Sequence, residues 1–267
     1  MSTEAEKDWR AWRELRERTV SGPYGPLALT GTYWLADHPD GRIEDVPGHW
    51  AEDGEAVRLT AGAGDGLTLD GAPLDGAPLD GEARLGPDTA PQEARAAHGG
   101  RRLVVLRREG RWAVRVFDPD AAALRAFTGI DAFPYAGRWR LTGRFRPYDE
   151  GRTVQVPNAD GRERGLGLGG ELAFTVDGEE HTLQAAVEAD GSLWAVLADA
   201  TSGTESYRFR FLRPPAPAAD GTVTVDLNRT LLPPCAFADH FICPFPPPGN
   251  TLPFALRAGE RQLSAGE

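Results

Sequence analysis

The chain has 267 residues, of which 40% are hydrophobic, and it contains seven tryptophans and eleven phenylalanines. This length is enough for one large domain or two of ordinary size with packed cores. Its 40 acidic and 29 basic residues give a formal charge of −11. That charge argues against nucleic acid or an anionic membrane surface as the main partner, because both attract positively charged proteins.

The first twenty residues have no apolar run of signal-peptide length, and they carry acidic residues where a signal peptide carries basic ones. No later stretch is long and apolar enough to cross a bilayer. We therefore expect a cytoplasmic protein whose cysteines are thiols. Lys7 is the only lysine among many arginines. Together with the abundant alanine, glycine and proline, this composition indicates a GC-rich bacterial genome.

An amphipathic helix is predicted at the start of the chain. Trp9, Trp12 and Leu15 recur at three-residue steps, with arginine and glutamate between them. Ser2 or Thr3, with a glutamate at position 6, is a typical helix start. We predict that this helix packs on the body of the protein through its two tryptophans.

Short strands follow the helix, and they predict a β-sandwich over residues 23–135. The segments AVRLT, GLTLD and EARLG alternate apolar and polar residues and are separated by glycine, aspartate and proline. The segment RRLVVLRREGRWAVRVFD is typical of a hairpin that turns at Glu109-Gly110. A duplication of GAPLD at residues 71–75 and 76–80 is interpreted as a loop insertion.

A second series of strands predicts a β-barrel-like domain over residues 136–267. Its segments include GELAFTVDGEEHTLQAAV, SLWAVLADA and GTVTVDLNR, and the clearest turn is Asp177-Gly178. Few helical patterns separate the strands, so the sheets should be antiparallel. The predicted fold class is all-β: an N-terminal helix over residues 1–22, an antiparallel β-sandwich, and a second antiparallel β-barrel-like domain.

The segment PPCAFADHFICPFPPPGN, residues 233–250, holds both cysteines and six prolines, and we call it the Pro-rich strap. Proline lacks the N–H that a sheet requires, so the strap should run in extended or polyproline form over a β domain. Free cysteine packs as a small hydrophobic residue. Apolar residues are therefore expected to pin the strap to the domain, namely Cys235, Phe237, Phe241 and Cys243.

The strap also contains groups with other chemistry. Cys235, His240 and Cys243 could form a thiol site, but a catalytic cysteine usually needs a helix N-terminus or a precisely placed base. A structural zinc site normally uses four Cys or His ligands, and the strap offers three. The sequence therefore predicts no metal, favours packing as the role of the cysteines, and leaves a thiol site as an alternative.

Several motifs in the second half carry a family resemblance. The segments LADATSGTESYRFRFL, VDLNRTLLPPCAF and CPFPPPGNTLPFALRAGE resemble the bacterial family called domain of unknown function 1684. The segments LALTGTYWL and VRVFDPDAAALRAF also fit, so the resemblance extends over nearly the whole chain. It implies a fold and a cluster of polar residues, and it implies no reaction or cofactor.

The resemblance also bears on the predicted sandwich. Relatives often carry a segment similar to the forkhead-associated sandwich, where this chain has ADHPDGRIEDVPGHW. The arginine and serine that would contact phosphothreonine are missing from that segment. The resemblance therefore implies a forkhead-associated-like sandwich without phosphopeptide binding.

Short polar residues cluster at strand ends between residues 199 and 229. Such residues most often hold turns by accepting backbone N–H groups. Alternatively, they line the mouth of a pocket. Tyr207 and Arg210 face opposite ways in a regular strand, so they share a site only if a bulge intervenes or one lies at the rim. The candidate ligand-binding residues are Asp199, Thr201, Ser202, Tyr207, Arg210, Asp226, Asn228 and Arg229.

Two functions are consistent with these patterns. One is a cytoplasmic β protein that binds a polar small molecule, anionic or neutral, in a pocket of the C-terminal domain, with or without hydrolytic activity. The other is a non-catalytic interaction module that uses the sandwich and the tryptophan-bearing helix. The sequence has no nucleophile elbow and no phosphate-binding P-loop, and it indicates neither a cofactor nor an oligomeric state.

Overall fold

A computed structural model describes residues 3–69 and 77–264 of the chain. It confirms the all-β fold class, with one N-terminal helix and several antiparallel sheets that include a curled half-barrel. The chain divides into two compact units: unit 1 comprises Met1–Glu17 and Phe127–Glu267, and unit 2 comprises Arg18–Ala126. The first GAPLD copy, at 71–75, lies outside the described residues. No helix in the described ranges is long and apolar enough to span a bilayer.

Helix α1 runs from Glu4 to Val20, and its N-terminal part packs on unit 1. The Thr3 hydroxyl accepts the backbone N–H of Glu6 at 3.2 Å, which identifies Thr3 as the cap. Trp9 is 7% exposed, as predicted, but Leu15 is 57% exposed. Leu15 lies six residues after Trp9, so about 120° of helix rotation separates the two side chains. The apolar face of the helix therefore does not extend to Leu15.

Unit 2 contains two antiparallel sheets around one core. Their strand orders are β1-β9-β8-β7-β4-β5 and β2-β3-β6. Trp50 of the smaller sheet and Trp112 of the larger one are each 1% exposed in the same cluster. The elements are β1 (Leu29–Trp34), β2 (His49–Asp53), β3 (Ala56–Ala61), β4 (Leu67–Leu69), β5 (Ala77–Pro78), β6 (Gly81–Leu85), β7 (Ala96–His98), β8 (Arg101–Arg108), β9 (Arg111–Phe117) and α2 (Ala122–Ala126).

The predicted hairpin of unit 2 is present as β8 and β9. Glu109 and Gly110 both have positive φ, 49° and 78°, as a two-residue turn between twisted strands requires. Two sheets that bury their facing side chains against each other form a sandwich. Its forkhead-associated-like character stays a prediction.

Unit 1 is built on a six-stranded antiparallel sheet with the order β15-β14-β13-β12-β11-β16, and β10 pairs with β17 beside it. Leu172, Leu183, Leu193 and Val225 of this sheet are each fully buried in its core. The elements are β10 (Ile130–Ala132), β11 (Arg140–Pro157), β12 (Glu163–Val176), β13 (Glu179–Val187), β14 (Leu193–Leu197), β15 (Arg210–Leu212), β16 (Thr222–Asp226) and β17 (Glu260–Leu263).

The turn between β12 and β13 generates a prediction about stability. Gly178 there has φ of +87°, a conformation that costs a residue with a Cβ about 1–2 kcal/mol. We expect Gly178→Ala to lower the free energy of unfolding, measured by urea denaturation, by about 1 kcal/mol. Gly137→Ala is the control, because Gly137 has an ordinary φ and open space around an added Cβ. Equal losses in the two variants would contradict the prediction.

Candidate functional site

The first group of predicted site residues forms a buried ion pair just after β14. A guanidinium nitrogen (Nη2) of Arg210 lies 2.8 Å from Oδ2 of Asp199, and both side chains are 0% exposed. Arg210 also donates to the carbonyls of Leu256 at 2.9 Å, Ala258 at 2.6 Å and Glu260 at 3.0 Å. Burial lowers the pKa of Arg210 from its ordinary value, and the adjacent Asp199 carboxylate opposes that shift.

The other carboxylate oxygen of Asp199 holds the following turn. It accepts the backbone N–H and hydroxyl of Thr201 at 2.8 and 2.7 Å, and the backbone N–H of Leu256 at 3.1 Å. The backbone N–H of Asp199 donates to the hydroxyl of Ser202 at 3.0 Å. Donors from the protein itself thus engage both oxygens of Asp199. These contacts agree with the turn-holding interpretation of Asp199, Thr201 and Ser202.

A second group lies at the end of β16. Asp226 accepts the backbone and side-chain N–H groups of Asn228 at 3.1 and 2.9 Å. The Asn228 amide exchanges two hydrogen bonds with the backbone of Ala136, at 3.0 and 3.1 Å. The indole N–H of Trp9 donates to the Asn228 carbonyl at 2.8 Å. Asn228 therefore ties α1 and the segment before β11 to the end of β16.

Asp226 and Arg229 also line a cleft of about 240 Å³ on unit 1, which we call the arginine cleft. Arg140 lies opposite Asp226 in the β11–β16 register. Three arginines therefore border the cleft, together with two carboxylates and a threonine hydroxyl. The polar and charged lining residues are Asp8, Arg140, Arg213, Thr224, Asp226 and Arg229.

The three arginines are only weakly neutralised. Arg140 is exposed, and its guanidinium makes no ion pair or hydrogen bond with any described residue. Arg213 lies 3.9 Å from Glu188. The Nε of Arg229 is 3.6 Å from Asp226, and that nitrogen is buried without a hydrogen-bond partner in the described ranges. The cleft therefore offers guanidinium groups with unused donors.

A third group contains the thiols of the Pro-rich strap. Cys235 and Cys243 are thiols that are not joined by a disulfide, and both are buried, at 4% and 6% exposure. The backbone N–H of Cys235 donates to the Cys243 sulfur at 3.3 Å, and the Tyr207 hydroxyl lies 3.7 Å from the Cys235 sulfur. His240 is exposed. Within the described chain, no three Cys, His, Asp or Glu side chains converge as metal ligands.

The surroundings of Cys235 change its acidity. A hydrogen bond from the Cys243 thiol, with smaller effects of the Tyr207 hydroxyl and the Arg208 charge, lowers the pKa of Cys235 to about 7 despite burial. Burial, with the neighbouring Cys235, raises the pKa of Tyr207 to about 12. At neutral pH Tyr207 therefore keeps its proton while Cys235 is partly a thiolate.

The predicted ligand-binding residues thus lie in three places and not around one cavity. The network around Arg210 is separate from Tyr207, because the Arg210 side chain contacts Asp199 whereas the Tyr207 hydroxyl contacts Cys235. Sequence reasoning missed Arg140 and Arg213, which belong to no motif. The alternation RLTGRFR along β11 does place Arg140 on the exposed face with Thr142. Of the predicted ligand-binding residues, four lie in the buried network (Asp199, Thr201, Ser202 and Arg210), Tyr207 lies beside the thiols, and three lie at the end of β16 (Asp226, Asn228 and Arg229).

Comparison with known proteins identifies one family. A family model described as protein of unknown function (DUF1684) matches residues 125–261. The resemblance drawn from the sequence over nearly the whole chain was too wide, since this match begins at residue 125. An uncharacterized protein of Haloarcula marismortui, solved by NMR, is 31% identical over 51% of this chain and 77% of its own, with a TM-score of 0.42. No curated protein matches.

The buried ion pair generates a stability prediction. Asp199→Ala should lower the free energy of unfolding by about 3–5 kcal/mol, because it leaves the Arg210 charge buried without its partner. Glu205→Ala is the control, since it removes the exposed ion pair with Arg257 in the same unit, and we expect a loss of at most about 1 kcal/mol. Urea denaturation measures both. A small, equal loss in the two variants would contradict the prediction.

Proposed function

The chain belongs to the DUF1684 family, and we propose that its unit 1 binds a small anionic molecule in the arginine cleft. The guanidinium group presents paired N–H donors in a planar fork that matches carboxylate and phosphate oxygens. Arg140, Arg213 and Arg229 border one cleft, although the chain carries a net charge of −11. A volume of about 240 Å³ suits a small metabolite, since it lies just below the range of drug-sized pockets.

The unpaired state of Arg140 carries the proposal. Its cross-strand neighbour is Asp226, the residue expected to neutralise it. Asp226 instead accepts two hydrogen bonds from Asn228, at 3.1 and 2.9 Å, and no ion pair joins it to Arg140 among the described contacts. Asn228 therefore engages one oxygen of Asp226, the other lies 3.6 Å from Arg229, and the guanidinium of Arg140 is available to a ligand.

The remaining lining indicates the class of ligand. Asp8 and Asp226 supply carboxylate acceptors, and Thr224 supplies a hydroxyl. A ligand that carries hydroxyl or amino donors as well as an anionic group would use both kinds of contact. These groups bind and orient a ligand, so we propose binding as the function. Product analysis after incubation with each probe tests whether hydrolysis follows.

The alternative function, an interaction through the tryptophan-bearing helix, has less support. Trp9 is 7% exposed, and its indole N–H is donated to Asn228 within unit 1. Trp12 is half-buried, with the Arg229 guanidinium 5.8 Å from its ring. The tryptophan face that would contact a partner is therefore engaged by the protein's own residues.

Calorimetric titration tests the proposal with inorganic phosphate, citrate and malate as anionic probes and with glucose as a neutral one. We expect at least one anion, and not glucose, to bind. Arg140→Ala should weaken that binding about 10- to 100-fold, because a hydrogen bond to a charged group contributes about 1.5–3 kcal/mol. Arg146→Ala is the matched control, since Arg146 lies on the same strand, outside the cleft and 3.6 Å from Glu180.

Two outcomes would reject the proposal. One is equal weakening by Arg140→Ala and Arg146→Ala, which indicates general charge attraction and not a site. The other is the absence of heat with every anionic probe at millimolar concentration. Circular dichroism of each variant confirms that a loss of binding does not come from unfolding.

A further inference from the structure

Cys235 and Cys243 lie in contact in the Pro-rich strap, and we propose that they form a disulfide when a hydroperoxide oxidises Cys235. The proposed anion binding does not involve these residues. Neither sulfur lines the arginine cleft, and both belong to a separate cluster with Phe209 and Phe211. The pair would be a site of reversible oxidation within unit 1.

The geometry places the two cysteines side by side. The backbone N–H of Cys235 donates to the Cys243 sulfur at 3.3 Å, and both side chains are buried in the same cluster. A disulfide needs the two sulfurs to approach to about 2 Å. Closing the bond therefore requires a movement within one buried cluster and not between distant parts of the chain.

The backbone on both sides of the pair is anchored. The Tyr207 hydroxyl shares its one proton between the Cys235 carbonyl at 3.2 Å and the Cys235 sulfur at 3.7 Å. The backbone N–H of Ala159 donates to the Cys243 carbonyl at 2.9 Å. Phe245, two residues after Cys243, donates its N–H to Pro157 at 2.8 Å. The contact between the thiols thus belongs to a fixed arrangement that also holds the end of β11.

Cys235 is the thiol that would react first. Hydrogen bonds from Cys243 and Tyr207, together with the charge of Arg208, favour its thiolate and bring its pKa to about 7. The thiolate is the nucleophilic form of cysteine, and attack is most efficient when the pKa is near the ambient pH. Cys243 then acts as the resolving thiol, because its sulfur already contacts the backbone of Cys235.

One hydroperoxide molecule oxidises the two cysteines to one disulfide. The Cys235 thiolate attacks one peroxide oxygen, the O–O bond breaks, and the leaving oxygen takes a proton to depart as an alcohol, or as water when the oxidant is hydrogen peroxide. Cys235 is then a sulfenic acid. The sulfur of Cys243 attacks the sulfenic sulfur, its proton goes to the departing hydroxyl group, and water leaves. Two thiols are oxidised by two electrons, and the peroxide is reduced by two.

Burial selects the oxidant. At 4% and 6% exposure, the two sulfurs are poorly accessible to a bulky disulfide reagent, whereas hydrogen peroxide is little larger than water. Access is through the neighbouring side chains, since Tyr207 is half-buried and Arg208 is exposed. We therefore expect faster reaction with hydrogen peroxide than with an aromatic disulfide such as Ellman's reagent on the folded protein.

The test uses the full chain treated with hydrogen peroxide, followed by alkylation, denaturation and non-reducing peptide mapping. We expect one intramolecular disulfide between residues 235 and 243, reversed by dithiothreitol. Cys243→Ser should instead accumulate a sulfenic acid at Cys235 that a dimedone probe captures. Tyr207→Phe should slow disulfide formation about fivefold at pH 7, because loss of one hydrogen bond to the thiolate raises the pKa of Cys235 by about one unit.

Tyr148→Phe is the matched control, since Tyr148 lies in the same unit against Arg152 and Glu171, and its rate should equal that of the wild type. Two free thiols after excess peroxide would overturn the proposal. So would an intermolecular disulfide, or sulfinic acid formed on both cysteines without a disulfide. The mapping uses the wild-type chain, so this result stands even if a variant fails to fold.

Discussion

The ion pair between Asp199 and Arg210 is the interaction on which the arrangement of unit 1 depends. Two charges with fully buried side chains are costly to remove from water, and only good geometry and further hydrogen bonds offset that cost. Arg210 obtains them from three carbonyls between Leu256 and Glu260. The pair therefore fixes the path of a segment that is 46 to 50 residues away in sequence.

The segment from Leu256 to Glu260 also contacts other parts of unit 1. Its last residue, Glu260, begins β17, and its carboxylate accepts the N–H of Leu232 at 2.6 Å and the Nε of Arg16 at 3.1 Å. One acceptor group thus joins the residue before the Pro-rich strap to helix α1. Helix α1 in turn supplies Asp8 to the arginine cleft. The cleft and the strap are therefore both positioned through contacts that begin at Asp199, a buried carboxylate whose two oxygens both accept hydrogen bonds.

The sequence predicts the local parts of this arrangement better than the distant ones. The hairpins at Glu109 and Asp177 follow from alternation and turn residues a few positions apart. Cys235, Phe237 and Cys243 of the Pro-rich strap are buried, as their apolar character predicts, but Pro234–Ala236 form a 3-10 turn and not the extended chain that the prolines favour. Arg210 is predicted as a ligand contact because it belongs to the polar motif residues near strand ends, whereas its partners are Asp199 and three backbone carbonyls, and a carbonyl partner leaves no mark in the sequence because any residue provides one. Arg140 was missed because an arginine on an exposed strand face is ordinary until its neighbour Asp226 is found bound to Asn228.

The net charge of the protein affects how an anion would approach the arginine cleft. The net charge of −11 repels anions at a distance, whereas the guanidinium groups attract them only at contact. At physiological ionic strength the screening length is about 8 Å, so the repulsion from charges elsewhere on the surface is largely removed while contacts inside the cleft persist. Association should therefore depend little on long-range steering, unlike that of a basic nucleic-acid-binding protein. Selectivity would come from the orientation of the three arginines and from Asp226, whose carboxylate accepts two hydrogen bonds from Asn228.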